Sequence, residues 1–240
     1  NNCDLMIEQN HEHSKFWHQV SKKHNIPFIY ASSSAVYGNS KNFFVNMTSE
    51  EPHNAYAFSK LSFDFFINND IKKKSHTIIG YRFFNIFGLG EYHKNKNASL
   101  PYRFFQFLLS KGYIDLFDKD IKRDYVSVDD LAKILFNSWK EKCKSGIYNL
   151  GSGHPISHLE VAELVVDTMI QKKIINGKRS DFIKKIAIPN ELIEKFQFYT
   201  KAEDIPELVT RIIKYSTKEK MIKYISDLCD NVNNVYVNTQ

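Results

Sequence analysis

The sequence predicts an α/β fold in which a parallel sheet is covered by helices on both faces. Three observations carry that prediction. Over the first 150 residues, stretches of helical periodicity alternate with short apolar runs, the pattern that strand–helix–strand units produce. Two of those runs, residues 26–31 (Ile-Pro-Phe-Ile-Tyr-Ala) and 77–83 (Thr-Ile-Ile-Gly-Tyr-Arg-Phe), show little alternation, as strands buried on both faces do. Finally, 240 residues with 42% hydrophobic content suffice for one sizeable core, or one core with a smaller lobe.

The elements follow in order. A polar, helix-like stretch over residues 8–24 leads into the first strand. A helix is expected over residues 55–73, with Leu61, Phe65, Phe66 and Ile67 as its apolar stripe. The second strand comes next, then a helix over residues 98–109 whose Phe104, Phe105, Phe107 and Leu108 read as core packing. Further on, three serines are each followed three positions later by an acid: Ser127 with Asp130, Ser157 with Glu160, and Ser216 with Glu219. Each pair precedes an apolar-periodic segment, so each marks a helix start. Residues 146–151 (Gly-Ile-Tyr-Asn-Leu-Gly) read as a short strand entering a turn, and beyond about residue 176 the pattern blurs.

Charge and cysteine content narrow the function classes. The 33 basic and 27 acidic residues leave a formal charge of +6, and the lysines are scattered or in short runs such as residues 72–74. That is the distribution of solvated faces. A nucleic-acid surface needs basic residues clustered with stacking aromatics, so no nucleic-acid partner is expected. A mildly positive chain still favours an anionic ligand such as a nucleotide diphosphate. Cys3, Cys143 and Cys229 lie far apart and fit neither a zinc site nor a disulfide framework, which points to a reducing compartment, the cytoplasm. His11 and His13 stand two apart, poor helical spacing for a shared metal, and no metal is expected. No apolar run approaches the ~20 residues that span a bilayer, no signal peptide is visible, and no membrane partner is expected.

The chemistry-bearing residues are Ser33, Tyr56 and Lys60. Tyr56 and Lys60 stand four apart at the start of the predicted helix and so share a face. An ammonium beside a phenol stabilises the phenolate and lowers a pKa that is ordinarily about 10, which suits tyrosine to acid/base work near neutral pH. Ser33 falls at the carboxyl end of the first strand, where ligands of parallel α/β sheets collect. A tyrosine and lysine at this spacing recur by chance on amphipathic helices, so context decides. Here residues 30–38 (Tyr-Ala-Ser-Ser-Ser-Ala-Val-Tyr-Gly) precede the pair and residues 82–88 (Arg-Phe-Phe-Asn-Ile-Phe-Gly) follow it.

Two later segments extend the series: residues 122–132 (Lys-Arg-Asp-Tyr-Val-Ser-Val-Asp-Asp-Leu-Ala) and 148–153 (Tyr-Asn-Leu-Gly-Ser-Gly). The five ordered segments resemble the extended short-chain dehydrogenase/reductase family, over about residues 5–228. The resemblance implies a partial Rossmann-like, doubly wound parallel sheet lacking its first strands, with a smaller α/β substrate lobe. Residues 1–88 would be the remaining part of the NAD(P)-binding domain. Residues 89–240 would be mainly substrate lobe, with segments near 120–150 returning to the sheet. It implies a sugar-nucleotide epimerase, an isomerase that uses NADP or alternatively NAD and assembles as a homo-oligomer. Residues 88–99, 54–60 and 196–203 are further similar to the family's ADP-L-glycero-D-manno-heptose 6-epimerases, which serve lipopolysaccharide core synthesis.

Carried over by that resemblance, Tyr56 and Lys94 would be the two acid/base groups, with Ser33 and Lys60 supporting them. Gln9, Lys60, Lys94 and Ile86 would face the cofactor. The ADP-sugar would meet Ser33, Asn85, Lys96, Arg103, Phe117, Asp118, Arg123 and Phe196. Lys96 stands where the family has a serine, Arg103 where it has a histidine, and Gln9 where it has an asparagine; the segment from Phe117 to Arg123 is two residues shorter. Another sugar-nucleotide epimerase, such as a UDP-hexose 4-epimerase, and a non-catalytic sugar-nucleotide-binding remnant are the alternatives. A dehydratase wants an acidic pair where Ser34 and Ala35 stand. The family's Gly-x-x-Gly-x-x-Gly turn, which seats a pyrophosphate on a helix N-terminus, is absent from the 240 residues. The expectation is therefore an N-terminally truncated chain with an exposed sheet edge and poor NADP binding.

Overall fold

The structure, a computed structural model, describes residues 3–40, 42–74, 76–187 and 217–237, with side chains in the last segment to residue 232. They form two compact units. The first takes the described residues of Asn1–Phe84 and Asp130–Gly153; the second those of Asn85–Asp129, His154–Thr200 and Ile213–Gln240.

In the first unit, helix α1 (Cys3–Ile7) runs through a π-helical turn at Glu8–Glu12 into α2 (His13–Lys23). This helical run starts five residues earlier than the periodicity predicts. Strand β1 (Phe28–Ser33) follows, two residues later than the expected 26–31. Pro27 has no N–H for a ladder, and the Ile26 amide already donates to Ser21 O at 2.9 Å. Helix α3 (Ala55–Lys73) has the expected bounds. It starts because Asn54, extended at φ −150°, accepts from the Ala57 amide, and it stops at Lys74 in the left-handed region at φ 51°. Strand β2 (Ile78–Phe83) lies between β1 and β7 (Gly146–Leu150) in one parallel sheet, with Tyr30 opposite Gly80 and Arg82 opposite Asn149. Within the described residues β1 has no strand on its other edge.

Side chains of a strand alternate between faces. Tyr81 hydrogen-bonds Ser138 of α5 (Val128–Lys140) at 2.6 Å, while Arg82 reaches Asp64 of α3. The sheet is thus covered on both faces, and the predicted α/β class with a parallel sheet is the observed one.

The apolar stripe of α3 needs correction. Leu61 and Ile67 are buried, but Phe65 and Phe66 are exposed. The row that faces the sheet is Ala57, Leu61, Asp64 and Ile67, spaced four and three apart as one helix face requires. Phe65 and Phe66 are rotated away from it. A carboxylate occupies a core position, which hydrophobic periodicity cannot register.

In the second unit, β3 (Asn85–Phe87) pairs in parallel with β6 (Tyr125–Ser127), and β4 (Ile114–Phe117) with β9 (Ile183–Ile186). The short strands β5 (Lys122–Arg123) and β8 (Ile156–Ser157) pair antiparallel. Helix α4 (Leu100–Lys111) begins two residues later than expected, with Pro101 in its first turn, and ends at Gly112, φ 75°. Helix α6 (His158–Gln171) opens on a complete capping box: Ser157 Oγ accepts from the Glu160 amide at 3.1 Å, and Glu160 accepts from the Ser157 amide at 2.8 Å. Helix α5 begins directly after Ser127. A short α7 (Arg179–Phe182) precedes β9, and α8 spans Thr217–Val237; Ser216 lies outside the described residues. The core of this unit joins Phe104, Phe105 and Leu108 of α4 to Val165 and Met169 of α6 and Met221 and Ile225 of α8. No helix among the described residues is long and apolar enough to cross a membrane, and all three cysteines are free.

Candidate active site

In the first unit the site is built where β1 ends and α3 begins. Ser33 is the last residue of β1, and its Oγ accepts from the Ala35 amide at 3.1 Å. That bond uses a lone pair and leaves the hydroxyl hydrogen to donate. Lys60 sits one turn beyond Tyr56, with its Nζ 5.9 Å from the centroid of the Tyr56 ring. The same Nζ donates to Ala31 O at 3.0 Å, two residues before Ser33. The four-residue spacing therefore does put both side chains on one face, at the carboxyl end of the strand. Tyr56 is 39% exposed and so open to a ligand. Burial lowers the Lys60 pKa, and the Asp64 carboxylate acts in the opposite direction.

The π-helical turn adds a contact the sequence did not suggest. It brings Asn10 Nδ2 to Ser59 Oγ at 3.1 Å, and Ser59 Oγ donates to Tyr56 O at 2.8 Å. Such turns often mark functional positions. Gln9, in the same turn, is exposed.

The second unit carries the other predicted residues. Asn85 opens β3, and its side-chain amide donates to Asp124 O at 3.0 Å; Ile86 is half-buried beside it. Lys94 lies in a 3₁₀ segment, Glu91–Asn97, broken at Asn95 (φ 49°, ψ −122°). Its Nζ is 3.8 Å from a carboxylate oxygen of Glu91. Glu91 is buried and accepts from the Gly88 amide (3.1 Å), the Ser99 amide and hydroxyl (2.7 Å each) and Tyr224 OH (3.2 Å). Lys96 is exposed. Arg103 on α4 and Arg123 on β5 both act on His158, the first residue of α6. Burial first, then Arg123 and Arg103, push the His158 pKa down to about 4. Phe117 and Asp118 line a cavity of about 320 Å³ with Leu116, Ser157 and Leu159. Phe196 lies outside the described residues.

Three participants escaped the sequence reading: Asp64, Glu91 and His158. The position of Asp64, four residues after Lys60, was the available signal. Glu91 lies in the 88–99 segment and most of its partners are local, Gly88, Lys94 and Ser99, whereas His158 offered no signal because Arg103 and Arg123 are distant in sequence. No group of three or more metal-ligating side chains occurs among the described residues.

The family model for the NAD dependent epimerase/dehydratase family matches residues 4–151. Among solved structures, the ADP-L-glycero-D-manno-heptose-6-epimerase of Helicobacter pylori is similar at 26% identity, covering 94% of this chain and 67% of that one, with a TM-score of 0.76. UDP-N-acetylglucosamine 4-epimerase from Methanobrevibacter ruminantium M1 superimposes with a TM-score of 0.75 at 20% identity, covering 93% and 68%. A dTDP-glucose 4,6-dehydratase from Bacillus anthracis, solved in complex with NAD, does so at 0.69 and 18%, covering 91% and 67%. The last two likenesses speak to the fold. The chain thus spans about two thirds of each structure's length. It belongs to the NAD dependent epimerase/dehydratase family.

Proposed function

We propose that this family member is the catalytic and substrate-binding portion of an ADP-glycero-manno-heptose 6-epimerase, inverting one carbinol carbon of the sugar with NADP as cofactor. The observation that carries the proposal is the placement of the Lys60 ammonium between Ala31 O and the Tyr56 ring at the end of β1. The 26% identity to the Helicobacter pylori enzyme supports the substrate.

The residues present fit the nicotinamide-ribose end of such a cofactor. Lys60 spends one N–H on Ala31 O and keeps two donors, enough for a pair of ribose hydroxyls. A nicotinamide held there would supply reversible hydride transfer, first from the sugar carbon and then to its opposite face. Tyr56 as phenolate would remove the proton of the sugar hydroxyl in the first presentation. Lys60 stabilises that phenolate by its positive charge, and Ser33 Oγ donates to the same sugar oxygen. Lys94 would provide the proton for the alkoxide formed in the second presentation. Arg123, Arg103 and His158 meet the diphosphate, for which a guanidinium offers paired donors. A cytoplasmic homo-oligomer belongs to the same reading.

The test is epimerisation of ADP-D-glycero-D-manno-heptose by the protein supplied with NADP, followed by NMR of the sugar. Tyr56→Phe and Lys94→Ala should each lower turnover by about 10²–10⁴. A Lys94→Ala variant as active as the parent, or inversion at C4 of a UDP-hexose in place of the heptose, would overturn the assignment.

A further inference from the structure

Among the described residues of the first unit, the most heavily bonded carboxylate belongs to Asp64, and the reaction as described does not use it. It is 1% exposed. Its Oδ1 accepts from Tyr30 OH at 2.9 Å. Its Oδ2 accepts from Ser32 Oγ at 2.9 Å and from Arg82 Nε at 3.0 Å, with Arg82 Nη2 at 2.9 Å. Every one of these neighbours is a donor, so the ionised carboxylate is the form that fits. Burial raises the Asp64 pKa, and Arg82, Tyr30 and Ser32 offset only part of that rise.

The placement of these partners matters more than their number. Tyr30 and Ser32 are the two residues flanking Ala31, whose carbonyl accepts from Lys60 Nζ. Tyr56, Lys60 and Asp64 are successive members of one α3 row, four residues apart. One carboxylate therefore ties the α3 face to both sides of the carbonyl that holds the lysine. Arg82 extends the tie: its Nη2 also meets Glu50 Oε1 at 2.5 Å, and its guanidinium lies 5.0 Å from the Tyr37 ring centroid. Tyr37 in turn donates to Asn149 of β7 at 2.6 Å. Two cations, Lys60 and Arg82, thus stand with two anions, Asp64 and Glu50.

We propose that Asp64 is a positioning residue for Lys60: it locks α3 onto β1 at Tyr30 and Ser32 and supplies a negative charge that favours the ammonium form of Lys60 beside Tyr56. The Tyr56 ring lies beside that amine and Asp64 is the charged group that acts on it; Asp64 in turn meets Tyr30 of β1 and Arg82 of β2, and Arg82 meets Glu50 and Tyr37 in the connecting segments. Of these, Asp64 is the one that raises the Lys60 pKa against the lowering by burial. The significance of this coupling rests on the proposed acid/base pair, but its measurement does not.

The experiment is NMR titration of lysine side-chain nitrogens in the protein, with the Lys60 signal assigned by its loss in Lys60→Arg. Asp64→Asn should move the Lys60 titration to lower pH, and Asp64→Glu, which keeps the charge, should restore it. Coincident Lys60 titrations in the parent and Asp64→Asn chains would overturn the proposal. Should Asp64→Asn fail to fold, the parent protein supplies the test, since its Lys60 signal should show a second inflection at acid pH as Asp64 takes up a proton; a single inflection counts against the coupling. Epimerase turnover is read separately. A Tyr56→Phe chain with full turnover defeats the functional reading and leaves the Lys60–Asp64 coupling intact.

Discussion

Both units bury a carboxylate under the segment that carries a lysine of interest, yet they hold it by different means. In the first unit Asp64 projects from a regular helix and accepts from side chains of two strands, Tyr30, Ser32 and Arg82. In the second, Glu91 opens an irregular 3₁₀ segment and accepts two backbone amides, Gly88 and Ser99, besides two hydroxyls. The first arrangement positions Lys60 through rigid elements and depends on a countercharge. The second shapes a loop around Lys94 by satisfying amides that would otherwise be stranded, and a neutral acceptor can do part of that work.

That contrast breaks most directly at Arg82. Arg82→Met strands Asp64 and Glu50 as buried charges and should cost about 3–5 kcal/mol in chemical unfolding. Glu91→Gln keeps an acceptor and should cost about 1–2 kcal/mol, with faster amide exchange confined to the neighbourhood of Gly88 and Ser99. Equal losses in the two variants would erase the distinction between the units. Gly80→Ala probes the first unit by shape alone. A Cβ there would lie 2.4 Å from the Tyr30 ring, so the ring must shift away from Asp64, at a cost of about 1–3 kcal/mol.

The second unit also carries its own pH response. The His158 pKa is pushed down to about 4 in the folded chain, against about 6.5 unfolded. Between those values the unfolded chain binds more protons, so this contribution to stability is complete above about pH 6.5 and is lost as pH falls toward 4. An anionic ligand beside Arg123 and Arg103 favours protonated His158, so ADP should bind more tightly at pH 5.5 than at pH 7.5. Calorimetric titration should show that dependence flattened in His158→Gln. The smallest effect is expected for Ser157→Ala, which removes the α6 cap and should cost about 1 kcal/mol in thermal unfolding.

Much of the first unit was legible in residue order. The bounds of α3 coincide with the expected 55–73 because Asn54 and the apolar periodicity are local signals. The shared face of Tyr56 and Lys60 follows from helical geometry alone. The capping box at Ser157 and Glu160 was equally local, and it is complete. What was not legible involves groups far apart in the chain. Phe65 and Phe66 entered the expected stripe because they are apolar, although the core row passes through Asp64. The pairing of β4 with β9 joins residues near 115 and 185, beyond the reach of any periodicity.

Residue order by itself determined the α/β class, the Tyr56–Lys60 row and the strand-end serine, since each depends on spacings of a few residues that backbone geometry converts into a shared face. Tertiary structure decided what surrounds them. Asp64 finds Tyr30, Ser32 and Arg82 at separations of 34, 32 and 18 residues. A charge can stay in a core only where such distant donors converge. That convergence is a property of the packed sheet and helix together.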